Sequence, residues 1–243
     1  KTGIPVGLIN SSWGGTPVEA WISEEGLKEF PLYINSKRLY EDDAYCSHIK
    51  KLEAENFYRW NLSLYRSDAG LHESTPWYAT NYDDNNWQTV NMFSQSWGNN
   101  GLNPIGGSHW LRQDIEIPQS WNGKEATLRL GCIVDADSVY VNGVFVGTTS
   151  YQYPPRILKS GKNNITVRII SNGGQPGFVQ EKPYKIICDN EEINLKQKWK
   201  YRLGAPMPPA PEMMFFWYKP VCLYNAMIAP LQNYSIRGVL WYQ

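Results

Sequence analysis

Apolar positions change their spacing along the chain, and the changes mark out its organisation. From about Asp43 to Tyr65, Ile49, Leu52, Phe57, Trp60 and Leu64 recur at close to helical spacing, while Lys50, Lys51, Glu53, Glu55 and Arg59 fill the other face. That pattern predicts an amphipathic surface helix. Beyond Asp68, short alternating runs take over, separated by Gly, Pro, Asn and Asp. Trp110 to Pro118, Ala126 to Leu130 and Asn164 to Ile170 read as strands, and Ser138 to Gly147 as a hairpin whose Asn142-Gly143 turn favours type I′. Together these runs predict an all-β sandwich.

The flanks read differently. Ile4 to Asn10 is a short apolar run that reaches Ser11-Ser12-Trp13-Gly14-Gly15-Thr16, the pattern of a buried parallel strand entering a Gly-rich turn. Gly14 and Gly15 let the backbone turn tightly and approach a ligand with no Cβ in the way. Pro17 to Ser23 enters a short helix, and Ser23-Glu24-Glu25-Gly26 has the Ser-plus-acid character of a helix start. Ala205-Pro206-Met207-Pro208-Pro209-Ala210-Pro211 is too stiff and donor-poor for helix or central strand and reads as a connector. Val221 to Leu231 then reads as a short helix, and Gly238 to Tyr242, within the apolar run that starts at Ile236, as a strand delivering Gln243. The expected architecture is an α/β domain, residues 1–73 and 201–243, interrupted by an inserted β-sandwich at 74–200. Both outer strands read as cut from a larger sheet, so the α/β part is expected to be truncated at both ends. A homo-oligomeric assembly is one way to cover its open strands.

Composition narrows the function. Lys plus Arg and Asp plus Glu balance at 23 each, so no electrostatic field argues for nucleic acid or a membrane surface as partner. Aromatics reach 14%, with 11 Trp and 16 Tyr beside 20 Gly and 16 Pro. Aromatic faces stack on sugar rings, which makes this a carbohydrate-handling composition, although the same residues also fill β-rich cores. Cys46, Cys132, Cys188 and Cys222 are widely spaced, which argues against a zinc site, and their apolar neighbourhoods favour buried free thiols. No run approaches the ~18 apolar residues of a membrane span. The amino end lacks the layout of a signal peptide, and any leader is expected upstream.

Gly7-Leu8-Ile9-Asn10-Ser11-Ser12-Trp13-Gly14-Gly15-Thr16 with Trp21, and Leu223-Tyr224-Asn225-Ala226-Met227-Ile228-Ala229-Pro230-Leu231 through Gly238-Val239-Leu240-Trp241-Tyr242-Gln243, resemble sialate O-acetylesterases of the SGNH hydrolase superfamily. Between them, Asp83-Asp84-Asn85-Asn86-Trp87, His109-Trp110-Leu111-Arg112 and Tyr140-Val141-Asn142-Gly143 with Val146-Gly147 resemble the sugar-binding-like jelly roll of family 2 glycosidases. Such esterases carry that domain as an insertion. The resemblance implies a three-layer SGNH sheet with an inserted jelly roll. It implies a periplasmic or extracellular serine esterase that needs no metal or organic cofactor, acting on O-acetylated sialic acid or a related acetylated glycan.

In that chemistry a serine attacks the acetyl carbonyl, a histidine held by an acid relays the proton, and an oxyanion hole stabilises the tetrahedral intermediate. The family's Gly-Gln-Ser-Asn serine precedes the segment matched by Gly7 to Thr16, and its Asp-x-x-His motif follows the Trp-Tyr-Gln segment. The resemblance therefore places nucleophile and base outside these 243 residues, and the chain by itself is expected to be inactive. What carries over is the oxyanion hole: a backbone N–H at Gly14 or Gly15 and the side-chain amide of Gln243, with Trp13, Trp21 and Trp241 as pocket walls. Gln95-Ser96-Trp97-Gly98 and Gln119-Ser120-Trp121-Asn122 echo the serine motif but read as loops of the β region. His48, His72 and His109 have no Asp at the family spacing. The alternative reading is a carbohydrate-binding module acting as a non-catalytic accessory domain.

Overall fold

Helices form where the early part of the chain provides caps and apolar faces. The computed structural model describes residues 3, 7–93, 97–148 and 158–240. Among them are α1 (Glu24–Leu27), α2 (Pro31–Tyr40), α3 (Asp43–Ser67) and α4 (Ala69–His72). Ser23 caps α1 by accepting from the Gly26 N–H at 3.1 Å. The long amphipathic helix is α3, which buries Trp60 and Leu64 against Ala205 and leaves its charged face in solvent. The α2 helix was not foreseen because it buries no residue; its signals are Pro31 at the first turn and the Lys37–Glu41 pair four residues apart.

The strands are β1 (Gln88–Val90), β2 (Gly106–Ile117), β3 (Thr127–Leu130), β4 (Ile133–Val134), β5 (Ala136–Val141), β6 (Val144–Gly147), β7 (Gly161–Ser171), β8 (Gly177–Phe178), β9 (Tyr184–Cys188), β10 (Glu191–Asn194) and β11 (Trp199–Met207). A six-stranded sheet runs β1-β11-β2-β7-β5-β6, beside a three-stranded sheet β10-β9-β3 and a two-stranded sheet β4-β8. The β5–β6 hairpin turns at Asn142 and Gly143, with φ of 49° and 81°, both left-handed as type I′ requires. One core unites the sheets: Leu111, Ile165, Val167 and Trp199 of the large sheet pack with Leu130, Tyr184 and Ile186 of the second and Phe178 of the third.

The other face of the large sheet is buried too. Trp110 and its neighbours meet Trp77 and Trp87 from the loop before β1. Buried charge follows, because outward positions that alternation assigns to solvent are covered: Arg112 and Arg168 are 3% and 8% exposed. Each is paired, Arg112 with Asp84 at 2.8 Å and Arg168 with Asp68 at 2.6 Å, as buried charge requires.

The α/β expectation is overturned. Every strand pair among the described residues is antiparallel, so the chain holds sandwich-like antiparallel sheets and separate helices rather than a three-layer SGNH sheet. The chain divides into two units, Lys1–Asn56 with Glu212–Gln243, and Phe57–Pro211. The described residues of the first unit contain α-helices and shorter helical turns but no strand. The apolar runs at 7–9 and 236–240 lack ladder partners, and a strand exists only through such pairing. Leu8, Ile9, Val239 and Leu240 are exposed. Residues 4–6 and 241–243 lie outside the described set.

The Pro-rich connector also begins later than its sequence suggests. Pro206 belongs to β11 and pairs with Gly107 of β2. Only residues 199–201 of β11 face β1, so Pro206 sits where the strand has a single neighbour, the edge situation in which sheets tolerate proline. The cysteines are free, with Cys188 buried and Cys132 exposed rather than buried.

His109 is buried in the sandwich, its Nδ1 2.9 Å from the Tyr201 hydroxyl and its Nε2 3.0 Å from the Ile105 carbonyl oxygen. Burial pushes its pKa below the ordinary 6.5, so the folded state takes up the proton at lower pH than the unfolded chain, which protonates near pH 6.5. Its share of stability is complete above that pH and is lost as pH falls below it, by at most about 1.4 kcal/mol per pH unit. Urea denaturation at pH 7.5 and 5.5 is expected to show a larger drop for the unmodified chain than for His109→Gln. Equal drops would remove His109 from the acid response.

Candidate functional site

The glycine turn is built by its neighbours. Thr16 Oγ1 donates to the Trp13 carbonyl at 2.8 Å and accepts from Trp21 Nε1 at 2.7 Å. Trp21 reaches back because Val18–Trp21 forms one 3₁₀ turn, tied by Ala20 N–H to the Pro17 carbonyl at 3.2 Å, with Ala20 fully buried. Gly14 and Gly15 occupy the exposed apex. Gly15 has φ +72°, and a Cβ built on either glycine meets nothing within 4 Å. The turn therefore presents open backbone, the geometry in which peptide N–H groups can serve an anionic oxygen.

Residues from the far end of the chain meet this turn. Ser11 Oγ donates to the Met227 carbonyl at 2.8 Å, and Val221 N–H donates to the Glu19 carbonyl at 3.0 Å. Trp13 stacks on Trp217 with centroids 6.2 Å apart and meets the ring of Tyr218 edge-on at 6.5 Å. The Met227 carbonyl is offered because the chain is π-helical over Tyr224–Ile228 and 3₁₀ over Ala229–Leu231. Pro230 cannot continue an α-helical ladder. Val221 is 3% exposed at φ +71°, a left-handed conformation that strains a β-branched residue by about 1–3 kcal/mol and that occurs preferentially at functional sites.

Of the sequence-predicted site residues, the structure joins Trp13, Gly14, Gly15 and Trp21 in one turn. It gives Trp21 a bonding role toward Thr16. Trp241 and Gln243 lie outside the described residues, as does Ser96. Ser120 is exposed in a 3₁₀ turn, Gln119–Trp121. His48 is exposed on α3, His72 Nε2 lies 2.7 Å from the Tyr65 carbonyl oxygen, and His109 is held by Tyr201 and Ile105. Trp217, Tyr218 and the Ser11–Met227 bond were not foreseen. The sequence signal for Trp217 and Tyr218 is the aromatic run Phe215-Phe216-Trp217-Tyr218 after the prolines.

No protein family model matches the chain, and no curated protein does. Solved structures similar to parts of it include a β-glucuronidase from Ruminococcus gnavus in complex with C6-substituted uronic isofagomine, at 23% identity and a TM-score of 0.25 over 28% of this chain and 13% of that one. A β-glucuronidase from an uncultured Clostridium sp. matches at 20% identity and a TM-score of 0.27, over 35% of this chain and 15% of that one. The chain thus spans well under a fifth of the length of either enzyme. Among the described residues, no helix is long and apolar enough to cross a membrane.

Proposed function

We propose that this chain is the central portion of a carbohydrate O-acetylesterase that hydrolyses acetyl esters of sialic acid. The observation that carries the reading is the Ser11–Met227 hydrogen bond, 216 positions apart in sequence. It ties together the two segments that resemble sialate O-acetylesterases, as one site assembled from both requires. In this reading a serine supplied outside the chain gives its proton to the histidine as it adds to the acetyl carbonyl, and the carbon–oxygen double bond becomes an oxyanion. N–H groups at Gly14 or Gly15, with the Gln243 amide, donate to that oxygen. Collapse of the intermediate breaks the acyl–sugar bond, the sugar oxygen takes a proton from the histidine, and water then releases acetate from the serine. Trp21 positions the turn through Thr16, while Trp13 and Trp241 wall the pocket. The enzyme acts in the periplasm or outside the cell, where acetylated glycans are displayed.

The test is acetate release from O-acetylated N-acetylneuraminic acid by the longer protein containing this chain, with and without a serine-directed fluorophosphonate. Inhibitable release is expected there, and no turnover of p-nitrophenyl acetate by the 243-residue chain alone. A longer protein without inhibitable release would sink the esterase reading. Fluorophosphonate-sensitive turnover by the chain alone would overturn the placement of the nucleophile.

A further inference from the structure

The second unit carries a polar cleft of about 370 Å³ on the face of β2 and β7 that also bears Arg112. On its floor Arg112 and Asn164 are buried and hold two more-exposed carboxylates in place. Arg112 Nε donates to Asp84 Oδ2 at 2.8 Å, and Asn164 Nδ2 donates to Asp114 Oδ1 at 2.9 Å. Its rim is open: Lys162, with its side chain 73% exposed, reaches Asp114 Oδ2 at 2.8 Å, and exposed Asp83 accepts from the Asn85 N–H at 3.0 Å. Half-buried Tyr82 stands at the side, its ring 5.6 Å from the Arg112 guanidinium carbon. Burial works against ionisation of Asp114, but its bonds to Lys162 and Asn164 hold its carboxyl below the ordinary carboxylate range, so it remains an acceptor near neutral pH.

The balance of groups selects a ligand class. Asp83, Asp84 and Asp114 face Arg112 and Lys162, three carboxylates against two cations, so the cleft has little net charge and disfavours an anion. Among the described residues, no group of three or more His, Cys, Asp or Glu could hold a metal ion. A carboxylate has about four acceptor sites, and the contacts above use only part of that capacity. Fixed acceptors interleaved with amide and cationic donors suit a ligand whose groups both donate and accept, with an apolar face for an aromatic side wall. Adjacent sugar hydroxyls have that character.

We propose that this cleft binds a neutral hexopyranose, discriminating against sugars that carry a carboxylate. It uses no residue of the first unit, so it stands or falls separately from the ester chemistry. The test is NMR titration of the full 243-residue chain with methyl β-galactoside, methyl β-glucoside and N-acetylneuraminic acid at millimolar concentrations. Saturable binding of a neutral glycoside is expected. Asp83→Ala and Lys162→Ala are each expected to weaken it about tenfold or more, the size of a hydrogen bond to a charged group, with thermal midpoints lowered only slightly because the bonds they lose, to Asn85 N–H and Asp114, are at the exposed rim. The proposal is overturned by absence of saturable binding, by binding unchanged in both variants, by preference for N-acetylneuraminic acid, or by binding that needs calcium and is lost with a chelator. Acetate release by the longer protein is a separate readout, so either result can fail while the other holds.

Discussion

Replacing Asp68 with alanine is expected to destabilise the sandwich by about 3–5 kcal/mol, read as a lower urea midpoint at unchanged denaturant slope. Asp68 is 0% exposed and serves three donors. Its Oδ1 accepts from Trp110 Nε1 at 2.9 Å and Gly70 N–H at 3.0 Å, and its Oδ2 accepts from Arg168 Nε at 2.6 Å. Alanine leaves an uncompensated guanidinium and two unsatisfied donors in a place water cannot readily enter. The backbone closes tightly there, since a Cβ on Gly204 would lie 2.5 Å from Asp68 Oδ1 and 2.7 Å from Trp110 Cδ1. Asp68→Asn keeps an oxygen for Trp110 and Gly70 but loses the charge and turns an amide donor toward Arg168 Nε in place of the accepting Oδ2, so it should also destabilise the fold. Arg168→Ala should be costly in its own right, and the double alanine variant should cost less than the sum of the singles by about 0.5–3 kcal/mol. Additive costs would show that the pair does not act as a unit.

That buried pair marks the limit of what alternation reveals. The helix at Asp43–Ser67, the long strands and the Asn142-Gly143 hairpin were legible because each rests on local periodicity or turn chemistry. Arg112 and Arg168 sit at outward positions that alternation reads as solvated. They are buried because a loop distant in sequence covers them and brings its own carboxylates, and no local pattern announces that. The α/β expectation failed for a related reason. A short apolar run has the same composition whether or not a neighbouring strand completes its ladder, and the described parts of residues 4–10 and 236–242 have no such neighbour. At the candidate site, the Gly14–Gly15 turn was legible from its glycines. Its fastening by Thr16 and Trp21 depends on side-chain geometry, and its meeting with Trp217 and Met227 depends on a long-range contact that spacing does not encode.

Under the esterase proposal, Gly14→Val in the longer protein that contains this chain is expected to lower kcat/KM for acetate release by about 10²–10³, the size of losing one oxyanion-hole donor, because the side chain keeps the acetyl oxygen away from the retained N–H. Gly14 separates chemistry from folding. It is exposed, its φ lies outside the left-handed region, and a Cβ there meets nothing within 4 Å, so the fold has room for a side chain. The same open space is where the proposal puts the acetyl oxygen, and a branched side chain competes with it. Gly15 discriminates less well. At φ +72° even alanine costs about 1–2 kcal/mol in backbone strain, so lost activity there mixes strain with chemistry. The expected signature at Gly14 is therefore reduced kcat/KM at an unchanged unfolding midpoint. An unchanged kcat/KM would take the Gly14 N–H out of the oxyanion hole, whereas a fall in midpoint matching the loss of activity would make the turn a structural element only.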